Sequence, residues 1–564
     1  MFLNKGIRLV GYICLLFAIT GCKGEMKNSF FKGDTQEQYN IVFISIEDNS
    51  PYFSFYGDST AKTPELDKLA SESLIFDNAF ATVGVCGPAR SSIITGMYPV
   101  SIGTHNMRTG KDVFTWGKRK YNGDTIFYDP QGNPICHYSA VLPVHVKCFT
   151  NYMREAGYYC TNNPKTDYQF SAPLSAWDEN SFKAHFKNRE DGQPFFSVFN
   201  FNVCHESKIW GKAKDSLRIN KDNVMLHRYH PDNEIVRTDV ARNYSNLEIL
   251  DIQVGALLKE LKKEGVYHNT IIFFYSDHGG PLPRGKRAIY DSGLKIPFMV
   301  KLPGMNKSSR TDQLISFVDI APTVLSLAGI KPPAYMQGKA FLGKYSVEER
   351  DYIYGSADRF DEKYDMIRCI RDKEYLLVKN FTLNQSRYLD ISYRKHMPMM
   401  REILRLRNEN LLDSIQMKWF EPEKPEIEFY NVGLDPDQIN DVSHLPENES
   451  RIKTMLAELE NWQKRVEDKG FIPEGELINS FWPKLKQPQT KIPEYTVVSK
   501  KYQLECATQG SDIVYRIDSS PNKTKELDYW KLYSKPIKKQ EGDYLHFRAT
   551  RIGYIDSKEV IVKM

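Results

Sequence analysis

The sequence predicts an α/β protein with a mostly parallel central sheet, followed by a smaller α+β subdomain and a terminal all-β module. Three apolar runs of strand length each end in ionisable side chains, the pattern of strands buried on both faces in a helix-covered parallel sheet. A long amphipathic stripe precedes the third run, as a crossover between parallel strands requires. After residue 493 the pattern changes to period-two alternation with no helical stripe, which sets the last module apart.

The first run, Asn40 to Ile46, is followed at once by Glu47 and Asp48. Thr63-Pro64-Glu65 then offers an N-cap and a first-turn proline to a helix carrying Leu66, Leu69, Ala70 and Leu74. The second run, Phe195 to Phe201, leads to His205. The segment from Asn243 to Glu264 places Leu247, Leu250, Val254, Leu257, Leu258 and Leu261 on one stripe, with Gly265 at its stop. It feeds the third run, Thr270 to Ser276, which ends in Asp277-His278-Gly279-Gly280. Ligands of open α/β sheets bind beyond the carboxyl ends of the strands, so these distant residues are expected to converge.

Asp319 to Leu325 reads as another capped helix of the same layer. From about Tyr352 shorter alternating segments take over, then a helix from Glu449 to Lys469. The proline- and lysine-rich stretch 482–493 reads as a linker. The expected organisation is therefore a catalytic α/β domain over 39–351, an α+β subdomain over 352–481, the linker, and a β-sandwich over 494–564.

Composition bounds the partners. The 564 residues are 41% hydrophobic and 26% charged, with a formal charge of +5, which is ordinary for a globular chain and too small for a generic polyanion binder such as a nucleic-acid-binding protein, while leaving room for a local basic pocket for a small anion. Lys5 and Arg8 precede an apolar run, Leu9 to Thr20, that is short for a bilayer span and suits a signal peptide over 1–21. Its end, Ile19-Thr20-Gly21-Cys22, resembles the bacterial lipobox. That resemblance implies an exported lipoprotein, periplasmic or at the cell surface, acylated at Cys22 and tethered by residues 22–38. Cys14, Cys22 and Cys86 have these or other roles, and six cysteines remain: Cys136, Cys148, Cys160, Cys204, Cys369 and Cys506. Export permits disulfides, but the irregular spacing selects no pairing.

The most informative stretch is Cys86-Gly87-Pro88-Ala89-Arg90, with Ser91-Ser92 and Ile94-Thr95-Gly96 after it. Pro88 suits a first helical turn, which puts residue 86 at a positive helix end able to favour an anion. With Glu47-Asp48 upstream, the pattern resembles the formylglycine-dependent sulfatase family over about residues 38–470. The resemblance implies an alkaline-phosphatase-like fold and a sulfuric ester or sulfamate hydrolase. In it, a maturase converts Cys86 to formylglycine; one hydroxyl of the aldehyde hydrate attacks sulfur, and the other expels sulfate as the aldehyde re-forms.

The same resemblance assigns roles by position. Glu47, Asp48, Asp277 and His278, with residue 86, would hold a divalent cation, calcium in preference to magnesium because the donors are mostly hard oxygens. Glu47 replaces the aspartate usual in relatives, and His278 the usual asparagine. Arg90 would neutralise charge beside residue 86, Lys165 and Lys286 would bind sulfate, and His205 would protonate the departing group with a near-neutral pKa. Asp167 stands where the family usually has histidine, as a proton acceptor or as a support for Lys165. His105 and Arg108 are candidates for substrate contact.

The stretches His230-Pro231-Asp232 and Arg237-Thr238-Asp239, with the tyrosine-rich segment after Gly157, are similar to the heparan N-sulfatase (sulfamidase) branch. This implies a sulfated glycan substrate, with N-sulfoglucosamine of heparan-type saccharides as the leading expectation. The alternatives are an O-sulfate of a host or algal polysaccharide, a phosphodiester or phosphonate in the same fold, and an unmatured glycan-binding lipoprotein. The tail, through Gly510 to Arg516, Leu532 to Ile537 and Arg548 to Arg551, resembles the C-terminal sandwich of chitobiases, where a purely structural role is the expectation.

Overall fold

The computed structural model describes residues 38–109, 125–522 and 529–564. The expected signal peptide and the Cys22 anchor lie outside them, as do all but the last residue of the tether. An eight-stranded sheet forms the body. Its spatial order is Ser309–Ser316, Leu74–Phe80, Phe298–Lys301, Thr270–Ser276, Asn40–Ile46, Phe195–Phe201, Tyr159–Asn163 and Glu179–Asn180. Every neighbouring pair is parallel except the two made by Phe298–Lys301, so one strand is reversed in an otherwise parallel sheet.

The three apolar runs became three adjacent strands with the bounds the sequence predicts. Asn40–Ile46 is buried at every position because both faces are covered. Val42, Ile44 and Ile46 join one core with Leu247, Leu250 and Val254 of the long helix. Phe43 points the other way, its ring centroid 4.9 Å from Phe196 and 5.0 Å from Phe273. Each such fully buried side chain contributes about 1.5–3 kcal/mol of transfer free energy, so the central strand is fixed in register from both sides.

The long helix spans Glu234–Lys263 and begins nine residues before the predicted start at Asn243. Asn233 caps it, its side chain accepting from Val236 N at 3.1 Å. Val236, Val240, Ala241 and Tyr244 carry the apolar stripe back through the first turns into the same core, so the stripe itself extends beyond the predicted start. A second local expectation fails at Thr63, whose side chain makes no capping bond to the Pro64–Ala70 helix. Asp251 of the long helix does so instead, accepting from Glu65 N at 3.2 Å and Leu66 N at 2.8 Å. A tertiary carboxylate thus replaces the local hydroxyl, and as an anion at a helix start it also meets the dipole favourably. The late helix runs Glu449–Arg465, four residues short of its predicted end.

A second sheet is antiparallel throughout, in the order Ile353–Phe360, Lys363–Arg371, Tyr375–Asn380 and Ile427–Asn431. The Glu449–Arg465 helix packs on it through Met455, Leu459 and Trp462, the last stacked on Tyr354 at 4.9 Å. The terminal residues form a three-stranded and a four-stranded sheet around Tyr502, Leu504, Leu545 and Phe547. Asp512 fixes this module to the α/β body by accepting from Lys147 Nζ and Asn151 Nδ2, both at 2.6 Å. The stretch read as a linker is anchored too: Thr490 is buried and its hydroxyl donates to Ala549 O at 3.0 Å. All seven described cysteines are free thiols, six of them buried. Among the described residues no helix is long and apolar enough to cross a membrane.

Candidate active site

Strand register assembles the site. Ile46 pairs with Phe201 on one side and Ser276 on the other, so three carboxyl ends lie level. Glu47-Asp48, the turn to His205, and Asp277-His278 therefore leave the sheet at the same edge. Lys165 follows the next strand, whose last residue Asn163 pairs with Phe199. Glu47, Asp48, Asp277, His278, Lys165, Asp167, His205 and Lys286 are all buried there, which no separation along the chain would suggest.

Cys86 begins the ten-residue helix Cys86–Thr95, which is buried at every position. Two glycines let it sit so deep. A Cβ on Gly84 would lie 2.4 Å from Ala288 O, and one on Gly87 would lie 1.9 Å from Gln169 Nε2. The first contact lets the 284–293 loop, which carries Lys286, close against the Cys86 loop, and Arg287 N donates to Gly84 O at 2.6 Å. Peptide N–H groups of this helix start are then available to an anion reaching residue 86.

Cations and carboxylates alternate around the thiol. Arg90 Nε donates to Asp277 Oδ2 at 2.9 Å and its Nη1 to Asn200 Oδ1 at 2.7 Å. Lys165 Nζ lies 3.1 Å from Glu47 Oε2 and 3.9 Å from both Asp167 Oδ2 and Asp277 Oδ2. Lys286 Nζ donates to Asp48 Oδ1 and Oδ2 at 3.0 and 2.8 Å and reaches His205 Nε2 at 3.1 Å. Asp48 holds a left-handed backbone conformation, φ 53°, stabilised by Asp48 N donating to Asp277 Oδ1 and by Glu206 N donating to Asp48 Oδ2. Asp167 is left-handed as well, φ 51°. Such costs persist only where surrounding contacts over-determine the conformation, and here they aim carboxylates inward.

These fields set the protonation states. Burial and the neighbouring Lys286 ammonium lower the His205 pKa to about 4, against the near-neutral value its residue type predicts. Its imidazole is therefore neutral at pH 7, and the mobile proton of the pair resides on Lys286. Asp277 is held down at about 2: burial opposes its ionisation, but His278, Arg90 and Lys165 together outweigh it. For His278 burial again opposes charge, and Asp277 and Asp48 reverse the balance, raising it to about 9.

The donor set fits a divalent cation. Neither oxygen of the buried Glu47 carboxylate accepts a hydrogen bond. His278 Nε2 lies 3.0 Å from Asp48 Oδ1 and 3.6 Å from Asp277 Oδ1 without hydrogen-bond geometry to either. Three carboxylates and an imidazole crowded at one point, beyond what the neighbouring cations satisfy, are disposed as ligands around a shared centre. Nδ1 faces Gly279 O at 3.0 Å, the contact that leaves Nε2 as the nitrogen turned toward the carboxylates. Cys86, Asp277 and His278 form one group of close donor atoms, and Glu47, Asp48 and His205 another. The raised His278 pKa marks a lone pair for which a proton and a cation compete.

Several residues of the site carry no signal in the strand-end reading. Glu206 makes a two-pronged pair with Arg287, 3.0 and 2.9 Å, and Arg287 Nε continues to Asp361 at 2.9 Å. Asp361 also pairs with Arg108, whose guanidinium lies over the Tyr393 ring at 5.1 Å. Arg108 is part-exposed. His105 is buried, close to Asp358 of the second sheet and to Asp468. Adjacency to His205 and Lys286 was the available clue to Glu206 and Arg287.

The sulfatase family model matches residues 39–330, and the model for the C-terminal region of N-sulphoglucosamine sulphohydrolase matches 284–418. An ulvan-active sulfatase of Formosa agariphila is 39% identical over 99% of this chain and 98% of its own length. Human N-sulphoglucosamine sulphohydrolase is 22% identical over 79% of this chain and 94% of its own. Among solved structures, the YidJ protein of Bacteroides fragilis superposes with a TM-score of 0.56 at 18% identity, covering 79% of this chain and 99% of that one.

Proposed function

Because the chain belongs to the sulfatase family and is a sulfate ester hydrolase of glycans, we propose that it removes O-sulfate groups from an ulvan-type polysaccharide, through a formylglycine made from Cys86. The observation that carries the chemistry is the ring of three buried cations, Arg90, Lys165 and Lys286, around a thiol at a helix start. A bare thiol there has no use for such a ring, whereas a sulfate group needs its charge dispersed as the bond to the leaving oxygen breaks.

The side chains divide the work. Lys165 and the helix N–H groups bind sulfate oxygens, and Arg90 holds Asp277 in place while adding charge beside residue 86. Asp167 positions Lys165. Lys286 and His205, 3.1 Å apart, form the unit that delivers a proton to the departing oxygen. Since His205 is the neutral member, the Lys286 ammonium supplies that proton to the departing oxygen, and the imidazole accepts a hydrogen bond from the ammonium and orients it. A hydrated aldehyde at residue 86 supplies the nucleophilic hydroxyl; Glu47, Asp48, Asp277 and His278 would hold the cation, which would supply charge neutralisation there.

Calcium is the proposed ion, because three carboxylates suit a hard cation that tolerates irregular geometry. At 100 times its dissociation constant, a ligand of the folded state alone adds about 2.7 kcal/mol of stability. Calcium should therefore raise the unfolding temperature of chelator-stripped protein, and more than equal magnesium does. Equal or greater stabilisation by magnesium would reject the assignment.

The sugar choice rests on the relatives. The sulfamidase expectation has the C-terminal model match and the human relative in its favour, but at 22% identity against 39% for the ulvan-active enzyme. Pocket loops read the sugar, and they diverge fastest at such distances. Sulfate release should be measured from ulvan oligosaccharides and from N-sulfated heparin saccharides in parallel. Release confined to N-sulfated sugars would replace the proposed substrate with the sulfamidase one. The phosphonate alternative has no comparable support from the relatives.

A further inference from the structure

We propose that the terminal β module carries a second glycan site, a basic groove that holds sulfated polysaccharide while the catalytic site works on it. The groove has a volume of about 640 Å³ and runs along the sandwich edge past Lys501, Lys531, Lys535 and Lys538, with Tyr515 and Tyr529 part-buried in its wall. That volume is in the range of sites that take small ligands or short runs of sugar rings. Among its described lining residues there are five cations, Arg516 included, and no carboxylate.

Among the described residues, two of the five cations have carboxylate partners and three do not. Arg516 is held by Asp518 and Glu559, both at 3.0 Å, and Lys531 lies 3.7 Å from Glu190. Lys501, Lys535 and Lys538 are exposed and form no ion pair among the described residues. Lys501 and Lys538 are directly opposed across neighbouring strands. Like charges in that position destabilise a sheet, and an anion between them turns the repulsion into attraction. Lys500 and Lys539 adjoin the pair, their backbones joined by a 3.0 Å bond from Lys539 N to Lys500 O. Carboxylates of the same sheet are segregated at its other end, where Glu494 faces Glu505.

Recognition of a sulfated polymer follows from the combination. Fixed ammonium groups meet the sulfates, while the tyrosine faces offer apolar area to sugar rings with a hydroxyl at one end. Because Asp512 clamps the module to the α/β body, a polymer bound in the groove raises the local substrate concentration at the catalytic site. The assignment of the ligand as a sulfated glycan rests on the family's substrate class. It holds whether the hydrolysed sulfate belongs to ulvan or to another polymer.

The test uses the full chain and compares wild type with the Lys501→Glu, Lys535→Glu, Lys538→Glu triple variant, by electrophoresis through gels containing dextran sulfate or neutral dextran. Wild type should be retarded by dextran sulfate alone, and the triple variant should bind it about tenfold more weakly, from three screened contacts of a few-fold each. Reversal of Lys68, Lys307 and Lys331, exposed lysines of the α/β body, serves as the control and should change little. Turnover of a small aryl sulfate should be unaltered in the triple variant, while KM for a sulfated polymer rises about as much as its affinity for dextran sulfate falls. If the triple variant fails to fold, the Lys501→Gln, Lys538→Gln pair takes its place. Equal retardation of variant and wild type, an equal loss in the control, or tighter competition by single-stranded DNA than by dextran sulfate would each overturn the proposal. Failure to hydrolyse ulvan would leave these outcomes unchanged, so the two proposals fail separately.

Discussion

Replacing Cys86 by alanine should lower turnover of any sulfate ester by a factor on the order of 10⁴ or more, while the protein stays folded. The size follows from what is lost. Removing one charged neighbour, such as Lys165, forfeits a single electrostatic contact to the transition state, worth roughly 10²–10³ in rate. Removing residue 86 forfeits the nucleophile, and the surrounding cations then bind sulfate with nothing to attack it. The fold should tolerate the change because Cys86 packs beside Val83, Val85 and Met107, and alanine removes only the sulfur from that apolar cluster. Activity and unfolding temperature measured on the same sample distinguish the two effects. Protein produced without a maturase should match the alanine variant, and peptide mass spectrometry should show its unconverted thiol. Residual turnover within tenfold of wild type in Cys86→Ala would remove Cys86 from the mechanism.

How the site was legible depends on where its residues sit in the chain. Glu47, Asp48, Asp277 and His278 were readable because each ends a run of seven apolar or small residues, and strand ends are where α/β sheets place ligands. Cys86, Arg90, Lys165 and Lys286 were readable by resemblance to a family motif. The Glu206–Arg287–Asp361–Arg108 chain was not. Its members come from four separate loops, and their pairing is a tertiary result of the 284–293 loop closing on Gly84. His205 shows a different gap: its position was found, yet its pKa depends on burial and on an ammonium 81 residues away, which no local pattern records. The same holds for the fold. The central strands were legible in their unbroken apolar runs, whereas the cap of the Pro64–Ala70 helix went to Asp251, a partner only packing could supply.

Behind the catalytic charges lies a second buried network on which the site depends, and it carries the other large effect. Arg359 Nε and Nη2 pair with Glu474 at 2.6 and 2.7 Å, and both side chains are fully enclosed. Nη1 donates to Met107 O at 2.5 Å and Asp361 O at 2.7 Å. One guanidinium therefore joins the Glu474–Phe481 helix, the segment that follows the Cys86 helix, and the residue that orients Arg287 and Arg108. Arg359→Met should destabilise the protein by about 3–5 kcal/mol, because it leaves Glu474 ionised and buried without its partner. Tyr138 and Tyr364 still donate to Glu474, at 3.0 and 2.6 Å, which keeps the loss finite. The pair also predicts a pH dependence. Burial opposes ionisation of Glu474, but Arg359 and the tyrosine donors outweigh it and lower its pKa below the ordinary glutamate value. A depressed carboxylate binds fewer protons folded than unfolded, so its contribution is complete above the ordinary value and is lost as pH falls through the folded one. Urea unfolding at neutral and acidic pH should therefore show the wild-type advantage over Arg359→Met shrinking as pH falls. The double variant Arg359→Met, Glu474→Gln should recover part of the loss at neutral pH, since it removes the stranded charge. An advantage independent of pH, with no recovery in the double variant, would assign the effect to lost packing around Arg359 instead of to its charge.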